Sequence, residues 1–320
     1  IWFGNMRIIF MGSAPLACPS LEILLNRADD EVVGVITQPD RPKGRNRRIS
    51  SCAVKIFAEQ NNLPVQTPEK INSPESVELL RTLKPDLIIV FAYGQILGLQ
   101  VLELPSEGCV NVHASLLPKY RGAAPIQWAI VNGEEMTGVT TMYMAEGMDD
   151  GDIILQREIA IKPEDTAGLL SNKMAKEGAE LLGETLDMIC GGNAVRKPQN
   201  EDEATFAPKI KKEDGRIDWT KTAEEIYNRI RGFNPWPTCW CCVRSQKSEV
   251  RSQGRIRVLK TRVEDREGEP GKIIDVGGDG PLVGTGNGCV RLLEIQPEGK
   301  KPMSGAAYVC GYSLKTGVKL

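Results

Sequence analysis

The first two hundred residues alternate short, continuous apolar runs with longer stretches whose apolar positions recur every three or four residues. Arg7–Met11, Val32–Thr37, Leu87–Phe91, Cys109–His113, Gly138–Met144 and Asp152–Ile159 read as strands. Between them Ser20–Arg27, with Leu21, Leu24 and Leu25 on one face, Ala53–Asn61, Glu75–Leu83 and the long Ala167–Cys190 read as helices. Strands covered on both faces stay apolar along their length. The alternation therefore predicts an α/β domain over residues 6–190, an open, mostly parallel, Rossmann-like sheet with helices on both faces.

The pattern then changes. Residues 191–205 are polar, contain Pro198, Gln199 and Asn200, and are expected to be a linker. Over 206–320, past a helix at Ala223–Gly232, the apolar runs shorten to Ile256–Val263, Gly271–Val276 and Cys289–Ile295. Turns such as Gly277-Gly278-Asp279-Gly280 separate them, the pattern of a small OB-like β-barrel. Two cores are also what 320 residues would lead one to expect.

Composition adds constraints. With 41% hydrophobic and 26% charged residues the chain is of ordinary globular type, and no apolar run approaches the ~20 residues that cross a bilayer. Met6-Arg7, the apolar residues after them and Leu16-Ala17-Cys18 resemble an export signal, but Gly12 and Pro15 interrupt the run too early. A buried first strand is expected instead, with residues 1–5 lying upstream of the start methionine. Nine cysteines without framework spacing point to reduced thiols and a cytoplasmic location. Cys239, Cys241 and Cys242 read as small apolar residues of a strand, because a chain with one histidine offers no partner ligands for zinc.

The net charge of -2 conceals an asymmetry. Phe206–Arg262 holds 14 Lys/Arg against 6 Asp/Glu, and Arg41–Lys55 holds six basic residues and no acidic one. Arg41, Lys43, Arg45, Arg47 and Arg48, interrupted by Pro42 and Gly44, are expected to form a mobile loop. Such a loop beside a basic barrel is a footprint for nucleic acid; solvated surface would give the same charge count.

Gly12-Ser13-Ala14-Pro15, after the first strand, matches neither the dinucleotide-binding fingerprint nor the phosphate-binding P-loop, which argues against a dehydrogenase or an ATPase. The informative stretch is Asn111-Val112-His113-Ala114-Ser115-Leu116-Leu117-Pro118. Asn111 and His113 are two apart at the carboxyl end of a strand and share a face, at the edge where open α/β sheets place ligands. An amide and an imidazole side by side are two donors for one developing oxyanion. A lone Asn-x-His is more often a core histidine, but the small-residue wall of Arg121-Gly122-Ala123-Ala124-Pro125 favours a site. Gly147-Met148-Asp149-Asp150-Gly151-Asp152 lacks the spacing of a calcium loop. It offers instead a carboxylate that would favour cationic His113; spacing leaves Asp149, Asp150 and Asp152 open.

From Met6 onward the chain resembles the formyltetrahydrofolate-dependent formyltransferases. The likeness rests on Thr37-Gln38-Pro39-Asp40-Arg41-Pro42 with Gly44-Arg45, on Ala92-Tyr93-Gly94, on Asn111–Pro118, on Tyr120–Gln127 and on Asn234-Pro235-Trp236-Pro237. The resemblance implies a catalytic set of Asn111, His113 and Asp149, and folate contacts from Ser115, Leu116, Leu117 and Pro118 with Tyr93 and Gly94. It implies 10-formyltetrahydrofolate as co-substrate, no metal, and a monomer that does not bind membranes. The basic loop and the second domain narrow it to the branch that formylates methionyl-initiator tRNA, with Arg41, Lys43, Arg45, Arg47, Arg48, Lys209 and Lys211 on the tRNA. Two departures stand out: Leu16-Ala17 where the family usually has Phe-Ala, and Asp150 where a small or hydroxyl residue is commoner. The nearest rival, a glycinamide ribonucleotide formyltransferase of purine biosynthesis, is essentially the first domain alone. A rival of another class, a nucleic-acid-binding protein with a degenerate enzymatic domain, is disfavoured by the intact catalytic set.

Overall fold

The computed structural model describes residues 6–43, 48–243 and 254–320. In chain order the first elements are β1 (Met6–Gly12), α1 (Cys18–Leu25), β2 (Asp30–Ile36), β3 (Arg41–Lys43), β4 (Arg48–Ser50), α2 (Ala53–Gln60), β5 (Val65–Gln66) and α3 (Pro74–Thr82). There follow β6 (Leu87–Phe91), α4 (Leu99–Leu102), β7 (Cys109–His113), α5 (Pro125–Val131), β8 (Met136–Tyr143), β9 (Ile153–Ala160) and α6 (Ala167–Cys190). A seven-stranded sheet has the order β5-β2-β1-β6-β7-β8-β9. The pairs from β5 to β7 are parallel; β8 and β9 are antiparallel additions to that edge.

Alternation along the strands separates the two faces. Ile8 and Phe10, Leu87, Ile89 and Phe91, and Val110 and Val112 enter one core with Leu21 and Leu24 of α1, Val54 and Ala58 of α2, and Leu182 and Leu186 of α6. Ile9, Met11, Ile88, Val90 and Cys109 enter another with Val77 and Leu80 of α3 and Val101 of α4. On β7 that second face then turns polar: after Cys109 its next two positions are Asn111 and His113, both buried.

The chain packs as two units. One takes the described residues up to Pro125, with Met136–Ala160 and Ser171–Pro208; the other takes Ile126–Glu135, Ile161–Leu170 and Lys209–Leu320. The boundaries expected from composition thus differ from the observed ones in two ways. Residues 191–205 belong with the first unit rather than standing between domains, and two short segments from within 6–190 belong with the second.

The second unit contains α7 (Ala223–Gly232), β10 (Cys239–Val243), β11 (Gly254–Glu264), β12 (Ile273–Asp275), β13 (Leu282–Gly284), β14 (Cys289–Pro297), β15 (Met303–Ser304) and α8 (Gly305–Tyr312). Thr222 caps α7 through a reciprocal exchange with Glu225. The sheet is antiparallel in the order β10-β11-β14-β13-β12, with β15 also on β14; among the described residues no ladder joins β10 to β12. An antiparallel sheet domain is what the glycine-punctuated pattern predicts, but the expected barrel is not closed by backbone pairing.

Arg291, on β14, holds this unit together from within. It donates to Glu264 Oε2 at 3.0 Å, to Asp275 Oδ2 at 3.1 Å and to the carbonyls of Gly277 and Gly280, each at 2.7 Å. Its side chain is only 8% exposed. Removing a buried ion-pair partner strands the remaining charges and costs ~3–5 kcal/mol; the partly exposed carboxylates here recover some hydration, so Arg291→Ala should cost about 2–4 kcal/mol. Denaturant unfolding of the intact chain measures this, and a loss under about 0.5 kcal/mol, the usual surface range, would reject the role.

Candidate active site

The site begins with the exit from β7. Asn111 and His113 lie opposite Met142 and Thr140 of β8. The connection between β8 and β9 folds back over this face and brings Asp149 to both side chains. Asp149 Oδ1 is 3.5 Å from Asn111 Nδ2, and Oδ2 is 3.3 Å from His113 Nε2. At that distance Nε2 feels the carboxylate's charge, yet it makes no aligned hydrogen bond. Asp149 has φ 52°, in the left-handed region that Asp tolerates better than most residues. Its Oδ2 also accepts from the Gly122 amide at 2.8 Å. Gly122 has φ +118°, and a β-carbon there would sit 2.9 Å from the Ala207 carbonyl oxygen, so only glycine allows this approach.

Burial pushes the Asp149 carboxyl upward, but the His113 contact, the Gly122 amide and the Arg121 charge together outweigh it and hold the carboxyl below its ordinary value. The Asp149 pairing therefore stabilises the fold above the unfolded value of ~3.9 and is lost as pH falls through the lower folded value.

A second layer fixes the loop that carries Asp149. Gln199 Nε2 donates to the carbonyls of Asp149 and Gly151, each at 2.8 Å. Its Oε1 accepts from Arg121 Nε at 3.0 Å and Nη2 at 2.8 Å. The Arg121 residue is only 3% exposed and completes its bonding on Glu201. Residues 205–207 run along the same wall: Thr205 N donates to Pro118 O, Arg121 N to Thr205 O, and Ala207 N to Arg121 O. The segment expected to be a linker is therefore a structural part of the site.

The residues after β7 alternate in direction. The Ser115 side chain is wholly buried and Leu117 packs with Met142 and Ile153, leaving Leu116 and Pro118 half-buried. Thr140 Oγ1 donates to Ser115 O at 2.6 Å and accepts from Leu117 N, while Gln156 Nε2 donates to Leu117 O at 2.8 Å. Of the four residues expected on folate, then, Ser115 and Leu117 turn inward because their neighbours on β8 and β9 offer partners and apolar space there. Tyr93 is likewise a core residue, its hydroxyl raised to about 12 by burial, whereas Gly94 is exposed.

The expected basic loop is partly a hairpin. Arg41–Lys43 pairs with Arg48–Ser50, and Pro42, which has no donor, sits opposite Ile49 in an isolated two-stranded ladder. Arg45 and Arg47 lie outside the described residues. Arg41 pairs with Glu69 at 2.7 Å, both well exposed. Lys209 and Lys211 are exposed on the second unit. Gln199, Gly122, Thr140 and Gln156 were not anticipated as site residues. Only Gly122, within the small-residue wall, carried a signal in the sequence.

Residues 6–186 match the formyl transferase family, and residues 209–313 match the formyl transferase C-terminal domain. The chain is 43% identical over 317 residues to the methionyl-tRNA formyltransferase of Geobacter sulfurreducens, covering 99% of this chain and 97% of that one. It is 47% identical to that of Acetivibrio thermocellus, covering 98% of each. Among solved structures, an N-formyltransferase from Helicobacter canadensis, in complex with folinic acid and dTDP-3-aminofucose, superposes with a TM-score of 0.64. It has 19% identity, over 90% of this chain and 99% of that one, and the likeness is one of fold.

Two outcomes follow for the carboxylate loop. Asp149→Asn should reduce turnover by ~10²-fold or more, in the range of a lost general acid–base group, while Asp150→Asn leaves it nearly unchanged; steady-state kinetics of both variants decides, and the reverse order would move the role to Asp150. Gln199→Ala should lower kcat by ~10-fold or more through misplacement of Asp149. Because the substitution also leaves Arg121 short of an acceptor, its thermal stability should fall by about 1–3 kcal/mol, and undiminished turnover would show that the loop holds its place without Gln199.

Proposed function

The chain belongs to the formyl transferase family, and from that premise we propose that it is a methionyl-tRNA formyltransferase, moving the formyl group of 10-formyltetrahydrofolate onto the α-amine of methionyl-initiator tRNA in translation initiation. The observation that carries this reading is the convergence of Asn111, His113 and Asp149 on one buried face, in a chain whose relatives of that name match it over nearly its full length. No helix among the described residues is long and apolar enough to cross a membrane, and we place the reaction in the cytoplasm.

The residues divide the work as follows. Asn111 Nδ2 and His113 Nε2 both lie beside the Asp149 carboxylate, and they hold the oxygen that gains charge as the amine adds to the formyl carbon. Asp149 keeps His113 in place. His113 takes up the proton that the amine must lose and returns one to the folate nitrogen as the old C–N bond breaks. The half-buried Leu116 and Pro118 supply apolar surface for the folate, and exposed Gly94 admits close approach of its backbone.

Glycinamide ribonucleotide as acceptor would leave the second unit without a use. That unit carries exposed Lys209, Lys211, Arg255 and Arg257, with the Arg255 guanidinium 3.9 Å from the Trp240 ring centroid. Arg41, Lys43, Arg45, Arg47 and Arg48 supply further phosphate partners from the first unit.

The deciding assay offers 10-formyltetrahydrofolate with methionyl-tRNA or with glycinamide ribonucleotide. Formylation of methionyl-tRNA alone is expected, with a ~10²-fold or greater loss of turnover in His113→Ala; formylation of glycinamide ribonucleotide instead would overturn the assignment. In a salt series, Arg45→Ala and the Lys209→Ala/Lys211→Ala pair should each weaken tRNA binding and flatten its salt dependence, by ~0.7–0.9 in log–log slope per lost phosphate contact. Folate affinity serves as the control that should not change.

A further inference from the structure

We propose that Ser115 is a positioning residue that fixes the tautomer of His113, so that proton exchange at the reaction centre takes place at Nε2 alone. His113 Nδ1 lies 3.0 Å from Ser115 Oγ, and Ser115 Oγ lies 2.6 Å from the carbonyl oxygen of Lys119. A serine hydroxyl has one hydrogen. A carbonyl oxygen can only accept, so at 2.6 Å that hydrogen belongs to the bond toward Lys119. Ser115 Oγ then has only lone pairs to offer the ring, and Nδ1 must be the donor. The ring proton is thereby placed on Nδ1, and the neutral imidazole carries its lone pair on Nε2.

The surroundings make this assignment stiff. Ser115 is 0% exposed, so neither water nor ligand competes for its hydroxyl. The Ser115 carbonyl accepts from Thr140 Oγ1 at 2.6 Å, and Thr140 Oγ1 in turn accepts from Leu117 N at 3.2 Å and Gln156 Nε2 at 3.1 Å. These bonds hold the Ser115 backbone in place, and the hydroxyl hydrogen is kept by the Lys119 carbonyl.

The consequence is chemical. Asp149 lies on the Nε2 side, at 3.3 Å, and by itself would draw the single proton of a neutral ring onto Nε2. That tautomer presents no lone pair where the amine loses its proton. Ser115 opposes the draw. With Nδ1–H held, the N–H bond of the attacking amine breaks as the Nε2–H bond forms, and the cation that results has its new hydrogen toward Asp149 and the charged oxygen. The same hydrogen then passes to the departing folate nitrogen, and the ring returns to its starting tautomer. No electron is gained or lost in the cycle.

Because the chain has a single histidine, nitrogen-15 NMR of histidine-labelled protein reads this ring alone. In the wild type, Nδ1 should keep its proton throughout a pH titration while Nε2 is the nitrogen that loses one; loss from Nδ1 would overturn the proposal without reference to any variant. Ser115→Ala should move the neutral ring to the Nε2–H form and lower kcat by ~10²-fold with KM for both substrates little changed. Ser115→Thr, which restores a hydroxyl, should recover Nδ1–H and most of the turnover. A Ser115→Ala protein that loses turnover with its tautomer unaltered would show a merely structural role, and one with undiminished kcat would reject the proposal outright. The turnover arm rests on the formyl-transfer reading, whereas the wild-type titration does not. Nδ1–H in a protein unable to transfer formyl groups would therefore count against that reading and leave the tautomer assignment standing.

Discussion

A guanidinium leaves water only if acceptors are provided for its N–H groups, and the way Arg121 meets this demand fixes the loop that brings Asp149 to Asn111 and His113. Its acceptors are Gln199 and Glu201. Both come from a segment some eighty residues later in the chain, which is thereby tied along the wall formed by residues 118–124. Gln199, once held by Arg121, has its amide free for the carbonyls of Asp149 and Gly151. The same arginine backbone positions Gly122, whose amide reaches the Asp149 carboxylate. The left-handed backbone at Asp149 is an unfavourable local conformation that is maintained because these bonds over-determine it. The charge of Arg121, added to the contacts with His113 and Gly122, keeps the carboxyl ionised despite burial.

Much of the architecture was legible in the sequence because it is written in periodicity. Leu87–Phe91, Cys109–His113, Ala167–Cys190 and Ala223–Gly232 form with the bounds that their apolar patterns predict. Direction was not legible. Met136–Tyr143 carries the same apolar signal whichever way it runs, and only its pairing with β7 shows it to be antiparallel. Gly305–Tyr312 escaped because Gly305, Ala306, Ala307 and Gly311 give a helix no apolar stripe. Its N-cap, Ser304, was the only local cue.

For the site, adjacency in sequence was the signal that worked and composition the one that misled. Asn111 and His113 share a face because strand geometry requires it. Residues 191–205 are polar, and polarity reads as solvent exposure, yet Gln199 spends its amide on the Asp149 and Gly151 carbonyls and the Arg121 guanidinium, and the Thr205 hydroxyl accepts from the Tyr120 amide. Ser115 and Leu117 looked like lining because they stand in a run of ligand-binding type. Their inward turn depends on Thr140 and Gln156, which no local pattern connects to them.

Among the described residues, β3 and β4 pair only with each other and contribute no strand to either larger sheet. Register in those sheets is therefore indifferent to what happens in the hairpin, and a residue gained, lost or recharged there shifts no core side chain from one face to the other. Sequence drift is cheap at such a place. Among relatives of the same fold, this is where length and charge can diverge with the least disturbance to either core.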